Sequence, residues 1–182
     1  MAESNQIRIG AADVELDAVG GTFATATDLG KTHTDGVTVT FEDAQVEIGS
    51  AQDITINEIF DIGPQRLSIE FSVKEHKMTH FALSIGQATD DVTDNSSDTP
   101  KNKQVDLGGW KAPQYYALRL KVPQPESPTL YDVLVLYKAK FVAAYQQAFT
   151  YRGERYIPLK AVCVTDPDNS DQYGYMQLEY TV

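Results

Sequence analysis

The chain has 182 residues, of which 42% are hydrophobic, enough for one globular domain with a sizeable core. Fifteen Lys and Arg stand against 26 Asp and Glu, a net charge of -11, which disfavours attraction to nucleic-acid phosphates or anionic lipid. No run approaches the roughly 20 apolar residues of a membrane-spanning helix, and Met1–Gln6 has neither the basic start nor the apolar stretch of a secretory signal, so synthesis in a cytosol-like compartment is expected.

The charge is unevenly spread. Residues 1–60 carry 11 acids and 2 bases (2 - 11 = -9), residues 61–100 carry 7 and 3 (-4), and residues 101–182 carry 8 and 10 (+2). An acidic first part and a faintly basic last part suit a soluble acidic surface, and also suit head-to-tail contact between copies.

Taken in chain order, alternation with a period of two dominates. Weaker strand signals at Gln6–Ile9 and Val14–Val19 precede Gly36–Glu42, in which Val37, Val39 and Phe41 share one face and Thr38, Thr40 and Glu42 the other. Further weak signals lie at Gln45–Ile48 and Ile54–Ile62. Arg66–Val73 repeats the clean alternation, with Leu67, Ile69, Phe71 and Val73 on its apolar face. Lys74–Ile85 is the one helical segment, placing Met78, Phe81, Leu83 and Ile85 roughly on one side and stopping at Gly86. Gln87–Trp110 has no periodicity and holds Asp90, Asp91, Asp94 and Asp98, so a long acidic loop is expected there.

Tyr116–Val122 is a strand with Arg119 and Lys121 on its wet face, and the proline-rich Pro123–Pro128 is a connection. Asp132–Ala144 is unusually long for a strand and reads as reaching beyond the domain. Tyr156–Val164 and Tyr175–Val182 complete the set. The expected fold is therefore mainly β: a two-sheet β-sandwich or barrel over residues 1–182, with one short flanking α-helix and the long loop 87–110.

The search for chemistry yields no catalytic, cofactor-binding or metal-binding residue. His76 and His80 are four apart on the predicted helix, as two zinc ligands would be, but Lys77 stands where a metalloprotease helix has glutamate, and His33 is distant. Asp166–Asp171 offers oxygen ligands, yet Asp171 and Gln177 occupy the places where an EF-hand has glycine and glutamate, so an acidic turn is expected. The single cysteine, Cys163, lies in the apolar run Ala161–Val164 and reads as a small buried hydrophobe. No phosphate loop, Gly-x-Ser-x-Gly elbow or Cys-x-x-Cys pair occurs. The 10 Tyr, 7 Phe and 1 Trp leave a carbohydrate-binding β-sandwich as the alternative to a structural role, and a sandwich-fold glycosidase would need two carboxylates in a cleft.

The order of segments resembles a known family. Asp28-Leu29-Gly30-Lys31-Thr32-His33-Thr34-Asp35-Gly36-Val37-Thr38-Val39-Thr40-Phe41, a strand around Gln45–Ile48, then Ile54 to Asp61, then Leu67–Glu75 leading into a short helix, resembles the first half of bacteriophage tail-tube (major tail) proteins. The resemblance covers roughly residues 10–86 and is an arrangement of strands with no chemical signature. It implies two packed sheets with a flanking helix, and homo-hexameric rings stacked into a hollow virion tube through which DNA passes without specific binding. It also implies tape-measure, tail-terminator and baseplate partners, a sheath protein if the tail is contractile, and no enzymatic activity or membrane. A tail terminator or another phage structural protein is the alternative within that class. Gln87–Trp110 and Asp132–Ala144 are the expected inter-subunit contacts, each being long for an isolated domain.

Overall fold

A computed structural model describes residues 4–9, 12–42, 45–49, 57–61, 66–108, 111–124, 127–145 and 156–180. In chain order the strands are β1 (Ser4–Ile9), β2 (Asp13–Ala18), β3 (Thr27–Glu42), β4 (Gln45–Gly49), β5 (Asn57–Asp61) and β6 (Arg66–Val73). Helix α1 (Met78–Ser84) follows, then β7 (Thr93–Asn95), β8 (Asn102–Gln104), β9 (Tyr116–Gln124), β10 (Ser127–Val142), β11 (Ile157–Cys163) and β12 (Gly174–Leu178).

Six strands close on themselves in the order β3-β2-β9-β10-β11-β6, because β6 pairs with β3 as well as with β11. Every pairing is antiparallel. Alternation is what permits closure: β6 and β11 bury every second residue, Leu67, Ile69, Phe71 and Val73 from one, Ile157, Leu159, Ala161 and Cys163 from the other. These meet Val14, Leu16, Val37, Val39, Leu118, Leu120, Leu134 and Leu136 in one continuous core.

Two of the barrel strands, β3 and β10, are 16 residues long and outrun their partners. β2 pairs with the first part of β3, and β1 pairs with Val37–Glu42 beyond it. In the same way β11 pairs with Ala139–Val142 of β10, and β12 pairs with Asp132–Leu136. Gly30 and Gly36 sit at positive φ (85° and 77°) beside the register shifts of β3, where a side chain would be strained. This bulged first half, Thr27–Asp35, breaks the alternation on which the strand Gly36–Glu42 was recognised.

The helix is shorter than the Lys74–Ile85 expected from its periodicity: Lys74–Lys77 is not helical, and Lys77 caps the first turn without a side-chain bond. Its end follows the glycine signal. Gly86 N–H donates to the Leu83 carbonyl (3.0 Å) and Gln87 N–H to the Ala82 carbonyl (2.9 Å), with Gly86 at φ 79°, which is a Schellman stop. Ala144 N–H and Tyr145 N–H both donate to the Ser84 carbonyl (2.8 and 3.1 Å), and Phe81 meets Tyr145 edge-on at 4.8 Å, tying the helix to the end of β10.

Among the described part of Gln87–Trp110 the chain is not structureless. It holds a 3-10 turn (Thr89–Asp91) and the two-stranded ribbon β7–β8. Strand β10 begins at Ser127, ahead of the expected Asp132, and ends at Val142. Residues 54–56, 62, 109–110, 125–126 and 181–182 of the expected elements lie outside the described residues.

Candidate assembly surfaces

Two features of the strand arrangement leave polypeptide without a local partner. The first is the β4–β5 ribbon, a two-stranded sheet of its own in register from Gln45↔Asp61 to Gly49↔Asn57, which lies in the chain between β3 and β6. Among the described residues, β4 and β5 pair with each other and with no other strand. A two-stranded ribbon alone is marginally stable in water, so such an element favours a surface to rest on.

The second is β12. Among the described residues it pairs with β10 alone, and along Gly174–Leu178 both faces are exposed: Tyr175 by 45%, Met176 by 60% and Leu178 by 64%. Tyr137 N–H donates to the Tyr173 carbonyl (3.0 Å) and Glu179 N–H to the Tyr131 carbonyl (3.1 Å), which fixes the phase of the ladder. Residues 173, 175, 177 and 179 therefore face β10 with their backbone groups, and those of Gly174, Met176 and Leu178 face the open edge. Beside that edge runs an apolar groove of about 430 Å³ between β3, β6, β10 and β12, lined by Phe41, Leu67, Leu134, Leu136 and Met176 among others. An open edge over an apolar groove is a template for another strand.

A smaller hollow of about 250 Å³ on the outer wall is bounded by Phe23, Tyr137 and Tyr175, with Arg119 and Asn169 at its rim. Phe23 occupies the left-handed region (φ 61°), its N–H held by Asp17 Oδ2 at 2.8 Å, and the Arg119 guanidinium lies 4.7 Å from its ring centre. Glu15 accepts from both Arg119 and Lys121. Partial burial works against ionisation of Glu15, but the bonds from Lys121 and Arg119 outweigh it and hold the carboxyl below its ordinary value.

The residues weighed for chemistry are not brought together. His80 is buried, its Nδ1 2.8 Å from the Glu75 carbonyl oxygen, whereas His76 is exposed. Burial pushes the His80 imidazole below its ordinary value, opposed by the Glu75 carbonyl, which favours the protonated ring. Two of the four acids of the long loop find cations: Lys111 bonds Asp91 (2.8 Å) and Lys103 bonds Asp94 (3.1 Å). Asp166 is buried and organises its own turn, its carboxylate accepting from Asn169 Nδ2 (2.6 Å) and its carbonyl from the N–H groups of Asn169 and Asp171 (3.0 Å each). That is the acidic turn expected from the sequence. Cys163 is buried, and its thiol is pushed up to about 12 by desolvation, as suits a small core hydrophobe.

Among the described residues no group of three His, Cys, Asp or Glu is placed to hold a metal ion, and no helix is long and apolar enough to cross a membrane. Neither a protein-family model nor a curated protein matches the chain.

Proposed function

We propose that this chain is a non-enzymatic structural subunit that assembles with copies of itself into hexameric rings stacked as a hollow tube, as the resemblance to phage tail-tube proteins implies. The observation that carries this reading is the β4–β5 ribbon, which lies between β3 and β6 in the chain, forms a sheet of its own and pairs with nothing else among the described strands. In a tube such a ribbon rests on the neighbouring copy and gains there the burial it lacks alone. The groups β1-β3-β6 and β9-β10-β12, which flank the apolar groove, then serve as the two packed layers. A net charge of -11 suits a conduit through which DNA slides without adhering. Tape-measure, terminator and baseplate proteins, and a sheath if the tail contracts, would be its partners in the virion.

Sedimentation velocity over a concentration series tests this reading, run on the wild type and on a variant whose residues 45–61 are replaced by an Asn-Gly turn. The wild type is expected to form large species as concentration rises and the variant to remain monomeric. Equal assembly by both would remove the ribbon from the argument, and a wild type that stays monomeric throughout would contradict the reading itself.

The aromatic hollow of Phe23, Tyr137 and Tyr175 favours a second reading, a glycan-binding module, since aromatic faces and a few polar groups are what a sugar ring meets in a protein. Titration with a panel of oligosaccharides, monitored by tyrosine fluorescence, separates the two: saturable binding by a monomer supports the glycan reading, and no response dismisses it.

A further inference from the structure

We propose that β12 is exchanged between copies, so that Gly174–Leu178 of one chain pairs with Asp132–Leu136 of β10 in the next. The inference rests on the self-assembly reading and names the strand through which copies would be joined. Three observations carry it.

First, β12 is held in its own chain by a single ladder and is exposed on both faces, so its release breaks few apolar contacts. Second, the seat it would leave is already built. Leu134 and Leu136 of β10, with Phe41 and Leu67 across the groove, form an apolar surface that needs a strand over it, and an identical strand from a neighbour restores the same contacts. Third, the connection into β12 contains two consecutive non-glycine residues in the left-handed region, Ser170 and Asp171, both at φ 57°. Side chains rarely adopt that conformation, and a tight turn of this kind folds β12 back onto its own barrel. Opening the turn to extended backbone relieves both residues, at the loss of the bonds from Asp171 N–H to the Asp166 carbonyl and from Asp166 N–H to the Gln172 carbonyl, and carries β12 outward. The closed and exchanged forms share the β10–β12 ladder, so the balance between them is set by the turn and by new cover for Met176, Leu178 and Tyr180, which stay wet in the single chain.

Asp132 and Leu178 face one another in the ladder at a non-hydrogen-bonded position, the closer of the two kinds of antiparallel pair and one whose spacing suits a disulfide. The test is the full-length double variant Asp132→Cys, Leu178→Cys, oxidised after assembly and run on a denaturing gel without reductant. Covalent ladders of two, three and more chains are expected, absent from each single variant. Disulfides confined within single chains of an assembled sample would overturn the exchange while leaving self-assembly standing; a wild type that never assembles would overturn both. Oxidation of the dilute monomer closes the strand onto its own chain, and is expected to abolish assembly until reductant is added. Should the double variant not fold, Asp171→Gly gives an independent reading. Glycine removes the strain of the closed turn, so the concentration needed for assembly is expected to rise several-fold, and an unchanged threshold counts against the proposal.

Discussion

Gly174 lies so close to Val135 that a Cβ added to it would stand 1.9 Å from the Val135 carbonyl oxygen and 2.9 Å from the Leu136 Cα. Both obstacles are backbone, so no side chain can swing away to make room. The last strand is thus seated by the absence of a side chain, and the whole open edge depends on that contact.

Gly174→Val is therefore expected to unseat β12 while the barrel persists. Overpacking of this kind costs about 1–3 kcal/mol. Hydrogen exchange by NMR checks it: the amides of Tyr175, Gln177 and Glu179, which face β10, should lose protection, while those of Ile69 and Leu159 in the barrel keep theirs. Uniform loss across the barrel would show that β12 is integral to the core.

His80 is expected to make stability fall in mild acid. Its folded-state value is depressed below the ordinary 6.5, mainly by burial, so the folded chain takes up a proton less readily than the unfolded chain. Its neutral form is then fully accommodated above about pH 6.5, and stability is lost as pH falls from there toward the lower folded value. Urea unfolding of wild type and His80→Gln between pH 7.5 and 5 is the measurement. The midpoint of the wild type should fall more steeply than that of the variant, and parallel curves would contradict the assignment.

Glu15 acts in the same direction, in a more acidic window. Held below its ordinary 4.5 by Lys121 and Arg119 against the cost of burial, it contributes stability that is present above that value and lost as pH falls below it. Because the group is only partly buried, Glu15→Gln should cost no more than about 1 kcal/mol at neutral pH. The same variant should free Arg119 from β2 and loosen its contact with Phe23. Denaturant midpoints at low and high salt check the first point, and Phe23 ring shifts in the NMR spectrum check the second.

Cys163 should be inert in the folded chain. With its thiol buried and pushed up to about 12, almost no thiolate exists at pH 8. A thiol reagent such as DTNB is expected to react at least 100-fold more slowly with the native protein than with protein unfolded in guanidinium. Rapid native labelling would show that β11 opens locally.

Much of the barrel was legible because alternation survives in β6, β9 and β11, where inward residues such as Ile69, Leu118, Leu120 and Leu159 are separated by outward ones such as Ser68, Arg119 and Lys160. Thr27–Asp35 was not legible as strand, because its bulges at Gly30 and Gly36 interrupt the period that marks the rest of β3. The start of α1 was misplaced because Lys74–Lys77 carries good helix formers but no N-cap, and tertiary context prevails over propensity there. The ribbon β7–β8 was hidden by its polarity: Thr93–Asn95 and Asn102–Gln104 bury nothing, and amide bonds such as Asn95 Nδ2 to Asn102 Oδ1 (2.8 Å) join them. The open edge of β12 left no local signal, since Met176 and Leu178 alternate as core residues do and only the closed barrel reveals that they are left outside.

Negative-stain electron microscopy of the purified chain across a concentration series tests self-assembly most directly. Hollow tubes or six-fold rings, with a lumen visible end-on, are the result expected. Uniform single particles of one chain at every concentration, including after seeding with tail components, would contradict it.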